Sequence, residues 1–346
     1  MTKHNIWRIT LDTNPEDCNL QCIMCEEHSP FSNFRQTLFK RKGVKKRLMP
    51  KEWLEPIFQQ AKEMGINEII PSTMGEPLIY KHFNHFIELC CKYDIKMNLT
   101  TNGTFPGING KTASEWATVI IPITTDVKIS WNGATAETSE KIMRGIDFEQ
   151  AVRNVREFIN IRNQHFLETN HYCRITFQLT FMRNNMNELT DIIKLAAELG
   201  IDRVKGHQLW THFDEIRDLS FRQHSESIEK WNNYVAQARN AIEKCRKSDG
   251  SKVELENIVP LKEQEVSEVP INYVCPFLNR ELWISATGKI SPCCAPDILR
   301  NELGSFGNIQ NMTLLQSVEG EEYQNLQRSY KQIPLCKTCN MRRKEQ

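Results

Sequence analysis

The sequence has no hydrophobic run long enough to span a membrane and no excess of charge of either sign. Its longest apolar stretch, Ala117–Ile123, is far shorter than the roughly 18 residues that a membrane-spanning helix requires. The first residues contain no apolar segment of the kind found in secretory signals. A formal net charge of +1 argues against a protein that coats nucleic acid. We therefore expect a cytoplasmic protein with no membrane span and no nucleic-acid partner.

Strand and helix patterns alternate through the first two-thirds of the chain. Segments rich in β-branched or aromatic residues predict six strands, at 6–11, 68–70, 97–100, 126–131, 174–181 and 203–206. Amphipathic patterns predict helices at 50–64, 82–93, 138–143, 148–161 and 186–199. Repeated βα units are typical of a parallel sheet. Six units are too few for a closed eight-stranded barrel, so we predict an α/β fold with a partial (β/α)6 TIM-like barrel; an open, doubly wound sheet is the alternative.

Changes of pattern along the 346 residues predict three domains. Residues 1–213 would form the barrel. Residues 214–268 would form a helical connector, because 214–247 has a long, polar helical pattern. Residues 269–346, which include a hairpin-like segment at 281–292, would form a small metal-dependent domain.

Cysteine is abundant, and its distribution is uneven. The chain has 12 cysteines and no export signal, which favours metal ligation over a disulfide framework. Most of them fall into two groups near opposite ends of the chain. The others, Cys90, Cys91, Cys173 and Cys245, are predicted to be packing residues.

The first group follows the first predicted strand in the pattern Cys18-x3-Cys22-x2-Cys25. Three thiolates can hold three irons of a [4Fe–4S] cluster and leave the fourth iron without a protein ligand. An open iron is a site for a substrate or cofactor, as an open position is on catalytic zinc. Loops that follow parallel strands are also where α/β folds place their active sites. A zinc site that lacks one ligand is the alternative.

This motif resembles the cluster motif of the radical S-adenosylmethionine (radical SAM) enzymes. Further family motifs are matched in order by Met74-Gly75-Glu76-Pro77, Thr101-Asn102-Gly103, Ser130-Trp131-Asn132-Gly133 and Met143-Arg144-Gly145. Two departures are Met74 in place of the first glycine of Gly-Gly-Glu-Pro, and Asn132 in place of an aspartate. The resemblance covers about residues 5 to 210.

The resemblance implies a cofactor site and a reaction. Cys18, Cys22 and Cys25 would bind a [4Fe–4S] cluster. S-adenosylmethionine (SAM) would be held by Met24, Gly75, Glu76, Pro77, Asn102, Ser130, Asn132 and Arg144. Reductive cleavage of SAM would give a 5′-deoxyadenosyl radical that takes hydrogen from an unactivated C–H bond of the substrate. A flavodoxin- or ferredoxin-like protein would donate the electron.

The second group supplies four thiolates, from Cys275, Cys293, Cys336 and Cys339. Four cysteines can ligate one [4Fe–4S] cluster or one structural zinc ion, and spacing alone does not choose between them. The pattern resembles the twitch form of the SPASM domain, which carries an auxiliary cluster in many radical SAM enzymes. The neighbouring Cys294 leaves the choice of the second ligand open; the interval Gly288-x4-Cys favours Cys293.

The resemblance leaves the substrate open. With no separate leader-peptide-binding domain visible ahead of Cys18, we expect oxidation or epimerisation of a small polyol or sugar, with the auxiliary cluster as electron acceptor. The basic run Lys40–Arg47 suggests a lid over an anionic sugar-type substrate. His207, after the last predicted strand, is a candidate substrate ligand or acid/base. The first alternative is a peptide or protein side-chain maturase, and a distant one is a non-catalytic iron–sulfur or zinc protein.

Overall fold

The chain forms two compact units that are each built from several segments. The structure is a computed structural model, and it describes residues 4–43, 46–72, 74–106, 111–221, 225–262, 269–295, 297–339 and 341–344. The first unit consists of residues 1–17, 43–98 and 267–346, and the second consists of residues 18–42 and 99–266. None of the described helices is long and apolar enough to cross a membrane.

The described residues contain short strands and longer helices in alternation. The strands are β1 (Arg8–Leu11), β2 (Gln21–Cys22), β3 (Glu68–Ile70), β4 (Lys96–Thr101), β5 (Thr124–Ser130), β6 (Met143–Arg144), β7 (Arg174–Phe181), β8 (Arg203–Gln208), β9 (Glu254–Glu256), β10 (Tyr273–Val274), β11 (Glu281–Ile284), β12 (Ile290–Ser291) and β13 (Arg343–Lys344). The α-helices are α1 (Phe34–Lys42), α2 (Lys51–Glu63), α3 (Phe83–Tyr93), α4 (Ala113–Ile120), α5 (Ala136–Ile142), α6 (Phe148–Thr169), α7 (Leu189–Leu199), α8 (Ser225–Lys244), α9 (Asp297–Arg300), α10 (Leu314–Glu319), α11 (Glu321–Ser329) and α12 (Pro334–Lys337).

The first unit contains a mixed sheet in the order β12-β11-β1-β3-β4. Strand β1 is parallel to both of its neighbours, with Arg8 opposite Glu281 of β11 and opposite Glu68 of β3. The predicted hairpin at 281–292 is confirmed, because β11 and β12 are antiparallel. Its parallel pairing with β1 was not predicted, since the two strands are about 270 residues apart in the chain and no local pattern reports such a contact.

The second unit contains the parallel strands β5, β7, β8 and β9, in that order. One face is apolar because alternate residues such as Val127, Phe177 and Val204 are fully buried. The buried ring of Trp131 stacks on Phe177, with the ring centres 4.4 Å apart. Polar residues occupy the opposite face, so this half of the sheet carries hydrogen-bonding side chains along its inner surface.

Local capping explains where the helices of the second unit begin and end. Asp147 precedes α6 and accepts a hydrogen bond from the backbone N–H of Gln150 at 2.8 Å. Thr112 and Glu115 form a reciprocal capping box at the start of α4, a helix that was not predicted. Gly200 ends α7 in the left-handed conformation, as its position predicts.

The segment expected to be a helical connector differs in detail from the sequence pattern. Its first residues form a 3-10 helix at Asp214–Leu219, and α8 follows at Ser225–Lys244. Strand β9 was not predicted, because three residues, Glu254–Glu256, are too short a run to indicate a strand. It forms by pairing parallel with β8, where Arg203 lies opposite Glu254. The three domain boundaries proposed from the sequence stay a prediction.

Candidate metal and cofactor centres

The N-terminal cysteine loop is tied by a short strand pair to another predicted site segment. Strand β2 carries Cys22 and pairs antiparallel with β6, so that Cys22 lies opposite Met143 and Gln21 opposite Arg144. Both strands belong to the second unit. The fold thereby brings the predicted cluster ligand and the predicted SAM-binding arginine onto adjacent backbone segments.

The thiols of this loop lie within electrostatic reach of one another. Burial, followed by the nearby Cys25 and Cys18, raises the pKa of Cys22 well above its usual value. Burial also raises the pKa of Cys25 to about 12. The backbone N–H groups of Leu20 and His28 donate to the sulfurs of Cys18 and Cys25 at 3.4 and 3.3 Å. Hydrogen bonds to sulfur tune iron–sulfur centres, so the loop offers a suitable donor set for a cluster.

The side chain of Asn102 lies beside the first cysteine rather than out in solvent. Its Nδ2 donates to Cys18 Sγ at 3.8 Å and to Asn19 Oδ1 at 2.8 Å. Its Oδ1 accepts hydrogen bonds from the backbone N–H and the hydroxyl of Thr104 at 3.0 and 2.6 Å. Asn102 is thus held in place from both ends of its amide, with one N–H directed at a predicted ligand sulfur.

Arg144 is exposed and contacts an aromatic pair. Its guanidinium carbon lies 5.8 Å from the ring centre of Phe31, and the Phe31 and Phe213 ring centres are 6.5 Å apart. A cation over an aromatic face is attracted by the ring. Met24 lies in the turn between the second and third cysteines and is partly exposed.

In the first unit, the predicted SAM-binding turn packs tightly against the segment that precedes Cys18. Gly75 has a φ of 74°, and a Cβ there would lie 2.3 Å from the carbonyl oxygen of Asn14. Only glycine fits both the conformation and the space. The next residue, Glu76, donates its backbone N–H to the carbonyl oxygen of Asp17 at 2.7 Å. This explains why the motif needs its glycine.

The carboxylate of Glu76 is buried at the start of a short 3-10 helix. Glu76 precedes Pro77–Ile79, and its Oε1 accepts the backbone N–H of Leu78 at 3.2 Å. Asn14 Nδ2 donates to the carbonyl oxygen of Glu76 at 2.9 Å. These bonds fix the turn, and the SAM-binding roles of Gly75, Glu76 and Pro77 stay a prediction.

The end of β5 carries the next two predicted residues. Ser130 is the last residue of β5 and lies opposite Gln178 of β7. Asn132 Oδ1 accepts the backbone N–H of Thr180 at 2.8 Å, and the Asn132 carbonyl accepts Asn185 Nδ2 at 3.1 Å. Asn132 therefore joins the ends of two strands through its side-chain and backbone oxygens. A cofactor role would use its side-chain Nδ2.

His207 lies on the polar inner face of the second unit. It is on β8 opposite Thr180, and its Nδ1 is 3.5 Å from Gln178 Nε2. Burial, and then the charge of Lys205, lowers the pKa of His207 to about 4. Its side chain is partly exposed. His207 is therefore a neutral imidazole near pH 7.

The four C-terminal cysteines, which span 65 residues of sequence from first to last, gather in the first unit. Burial, followed by the nearby Cys275, Cys339 and Cys336, raises the pKa of Cys293 to about 12. The backbone N–H of Ala295 donates to Cys293 Sγ at 3.4 Å. A matching bond runs from the N–H of Leu278 to Cys275 Sγ, also at 3.4 Å.

Cys294 is partly exposed and lies beside this group. Burial, followed by Cys293, Cys339 and Cys275, raises the pKa of Cys294 well above its usual value. The backbone N–H of Ala295 donates to the sulfur of Cys293. With this hydrogen bond and the interval Gly288-x4-Cys, we keep Cys293 as the proposed ligand.

The sequence analysis missed two side chains at this C-terminal group. The hydroxyl of Tyr330 accepts the backbone N–H of Cys275 at 3.3 Å. Arg342 is buried and donates to the carbonyl oxygen of Cys336 at 3.1 Å. No cluster motif marks these positions, because Tyr330 contacts Cys275 across 55 residues of sequence and Arg342 also contacts Tyr273 across 69.

Two residues of the basic run that was expected to cover an anionic substrate form ion pairs within the protein. Arg47 is buried, and its Nε donates to Glu16 Oε1 at 2.8 Å. Lys46 Nζ lies 2.7 Å from Asp17 Oδ1. Lys45 lies outside the described residues. Two cations of the run are thus used in ion pairs with the segment that precedes Cys18.

The donor chemistry of both cysteine groups fits iron–sulfur clusters. Each group supplies thiols, and backbone N–H groups donate to the sulfurs of Cys18, Cys25, Cys275 and Cys293. The cysteines of a four-iron cluster bind separate iron atoms. Over the described ranges, no three His, Cys, Asp or Glu side chains converge closely enough to hold one metal ion.

Two family models match this chain. The model of the radical SAM superfamily matches residues 15–196, and that of an iron–sulfur cluster-binding domain, SPASM, matches residues 275–340. No curated protein sequence matches.

Solved structures match nearly the whole chain. Streptococcus suis SuiB bound to S-adenosylmethionine is 17% identical with a TM-score of 0.63, over 98% of this chain and 74% of that one. The same protein bound to precursor peptide SuiA is 16% identical with a TM-score of 0.63, over 94% and 67%. The protein anSMEcpe with bound AdoMet and Cp18Cys peptide is 16% identical with a TM-score of 0.62, over 92% and 81%.

The predicted fold, a partial TIM-like barrel followed by a C-terminal cluster domain, is confirmed by these matches. The predicted cofactors are confirmed as well: a [4Fe–4S] cluster, SAM and a second, auxiliary [4Fe–4S] cluster. Because the larger family model covers more than half of the sequence, the chain belongs to the radical SAM superfamily.

Proposed function

We propose that this radical SAM enzyme modifies a side chain of a peptide or protein. The observation that carries the proposal is that two structures aligning with more than nine-tenths of this chain hold peptides, SuiA in one and Cp18Cys in the other. This favours the alternative of the sequence analysis over its main interpretation, oxidation or epimerisation of a sugar-type molecule. The ion pairs of Arg47 and Lys46 also weaken the argument for an anionic sugar.

The proposed roles at the first centre follow from the contacts of the second unit. Cys18, Cys22 and Cys25 hold the cluster, and Asn102 orients the first of these thiolates through its amide. When bound, the cluster and SAM supply one-electron cleavage chemistry. Arg144 provides an exposed positive charge beside the cysteine loop, suited to the SAM carboxylate.

The proposed substrate-facing residues lie on the inner face of β7 and β8. Gln178 lies opposite Lys205, and His207 is two residues further along the same strand face. A neutral His207 can bind the substrate through a hydrogen bond from its ring N–H. Gln178 Nε2, next to His207 Nδ1, would keep the other ring nitrogen as the donor.

The second centre and the partners complete the proposal. Cys275, Cys293, Cys336 and Cys339 hold the auxiliary cluster, which would accept an electron from the modified substrate. A flavodoxin- or ferredoxin-like protein is the proposed reductant. All 12 cysteines are free of disulfides, as suits the reducing cytoplasm that we propose as the location.

The test supplies the anaerobically reconstituted protein with SAM, dithionite and two panels of probes. One panel holds synthetic peptides from open reading frames next to the gene, and the other holds sugars and cyclitols. We expect 5′-deoxyadenosine in proportion to a mass change on a peptide. Loss of two hydrogens from a sugar, with no change on any peptide, would restore the sugar interpretation. No 5′-deoxyadenosine with SAM bound would support the non-catalytic alternative.

The His207→Gln variant sharpens this test. It should lower peptide modification while 5′-deoxyadenosine formation without substrate continues, because His207 is assigned to the substrate and not to SAM. His165→Gln, at a partly exposed position on α6, is the control and should leave both rates unchanged. Parallel loss of both rates in His207→Gln would contradict the assignment.

A further inference from the structure

One buried arginine differs from all the others in the described part of the chain. Five arginines there are buried, and four of them pair with a carboxylate. The four pairs are Arg47 with Glu16, Arg162 with Asp202, Arg203 with Asp126 and Arg300 with Asp12. Arg342, only 6% exposed, has no carboxylate within 4.0 Å among the described residues.

Backbone carbonyl oxygens surround the Arg342 guanidinium instead. Its Nη1 donates to Cys336 at 3.1 Å, and its Nη2 donates to Pro270 at 3.0 Å and to Tyr273 at 2.6 Å. The Tyr330 ring lies 5.9 Å away. These partners satisfy the N–H groups, but they are neutral. The positive charge of Arg342 is therefore not cancelled by any of them.

A buried charge without an opposite charge is costly, so a negative partner is expected nearby. The closest source is the C-terminal cysteine group. Besides its side-chain bond to Cys336, Arg342 donates its backbone N–H to the carbonyl oxygen of Cys339 at 3.2 Å, so it contacts two of the four proposed ligand residues directly. A cluster with four thiolates carries net negative charge, which is what this position lacks.

The same arginine also connects the two ends of the cysteine domain. It bonds to Tyr273 on β10, just before Cys275, and to Cys336 on α12. Directly after it, β13 pairs antiparallel with β10, with Arg343 opposite Val274. Arg342 is thus fixed at the point where the first and the later cysteines of the group approach each other.

We propose that Arg342 is the charge-compensating, positioning residue of the auxiliary cluster and keeps its reduction potential high enough to accept an electron. The inference rests on the ligand set of the proposed function. Net charge and surrounding charges set the potentials of iron–sulfur clusters. A fixed cation in a low-dielectric site stabilises the more negative, reduced form, so it raises the potential.

The test compares a full-length parent protein that carries only the second cluster with three variants of that parent. Replacing Cys18, Cys22 and Cys25 by alanine leaves one EPR signal to follow in a redox titration. Arg342→Gln removes the charge and keeps an N–H donor, whereas Arg342→Lys keeps the charge and loses the planar fork. Arg343→Gln makes the same change at the exposed neighbouring residue, where solvent screens the charge.

We expect Arg342→Gln to lower the equilibrium constant for reduction of the cluster about tenfold or more, which is about 59 mV for one electron. Arg342→Lys and Arg343→Gln should leave the potential close to that of the parent. An unchanged potential in Arg342→Gln, with iron fully retained, would overturn the inference.

Iron content covers the case in which Arg342→Gln loses its cluster. Loss of iron in Arg342→Gln with retention in Arg342→Lys supports the requirement for charge. Equal loss in both variants contradicts it and leaves only the hydrogen bonds. Absence of iron from the parent protein would instead refute the ligand set of the proposed function, so the two failures are distinguishable.

Discussion

The two cysteine centres are built in opposite ways. The first is local: Cys18, Cys22 and Cys25 lie on one loop of eight residues, and chain geometry alone keeps their sulfurs near each other. The second is assembled by the tertiary fold, since Cys275 and Cys339 are brought together by strand pairing and by Arg342. The local centre can therefore be recognised in sequence with its neighbours, whereas the supporting residues of the assembled centre cannot.

The difference extends to how each centre stabilises negative charge. At the first centre, neutral N–H groups from the backbone and from Asn102 donate to sulfur. At the second, a buried cation, Arg342, lies among carbonyl groups beside the cysteines. We infer that the first centre is suited to a low potential and the second to a higher one, as electron donor and acceptor require.

The largest expected effect is at the first centre. Cys22→Ala should abolish 5′-deoxyadenosine formation and remove about four irons per chain, because three thiolates are the least that hold this cluster. Cys91→Ala, at an exposed cysteine outside both groups, is the matched control and should change neither value. Retained SAM cleavage in Cys22→Ala would break the assignment of the first centre.

At the second centre, adjacent cysteines allow a direct comparison. Cys293→Ala should remove about four irons while leaving SAM cleavage without substrate intact, since the first centre is unaffected. Cys294→Ala should retain that iron, because Cys293 is the cysteine whose sulfur accepts the hydrogen bond from Ala295. The iron content per chain of the two variants distinguishes the two assignments. Loss of iron in Cys294→Ala with retention in Cys293→Ala would assign the ligand to Cys294.

A smaller effect is expected from the support of the first centre. Asn102→Ala removes the donor to Cys18 Sγ and should lower SAM cleavage by about 10- to 100-fold, the range found when groups supporting metal ligands are lost. Thr104→Val removes only the hydroxyl that holds Asn102 and should have a weaker effect. An Asn102→Ala variant with a normal rate of SAM cleavage and a normal EPR spectrum would show that the hydrogen bond to Cys18 does not support the cluster.

The smallest effect concerns pH. The pKa of His207 is lowered to about 4 in the folded protein, so the unfolded chain binds more protons between that value and the usual 6.5. The contribution of His207 to the free energy of unfolding is fully present above about pH 6.5 and decreases as the pH falls toward 4. The melting temperature of His207→Gln should therefore fall less than that of the wild type between about pH 7 and pH 5. Identical slopes would contradict a buried, neutral His207.

Much of the barrel was predictable, because its strands and helices have strong local patterns. Strands such as Arg174–Phe181 alternate apolar and polar residues, and Gly200 marks a helix end. Strand β9 and helix α4 were missed, the first because it depends on pairing with β8 and the second because Pro122 follows it and the apolar run obscured the helical period.

The sequence predicted the candidate ligands of the site better than the side chains that contact them. The proposed N-terminal ligands and the matching family motifs could be named from the sequence, and the structure places Cys22 and Arg144 on the paired strands β2 and β6. The contacts of Asn102 with Cys18 and of Arg342 with Tyr273 could not, because each joins residues distant in the chain. The substrate preference was also beyond the sequence, since the basic run Lys40–Arg47 suggested an anion that the ion pairs of Arg47 and Lys46 do not support.

The central claim is that this chain holds two iron–sulfur clusters on these two cysteine groups. Measuring iron and acid-labile sulfide per chain after strictly anaerobic reconstitution tests it most directly. We predict about eight irons and eight sulfides per chain, with about four of each lost in Cys293→Ala. About four of each in the wild type, together with one zinc, would contradict it and make the second centre structural.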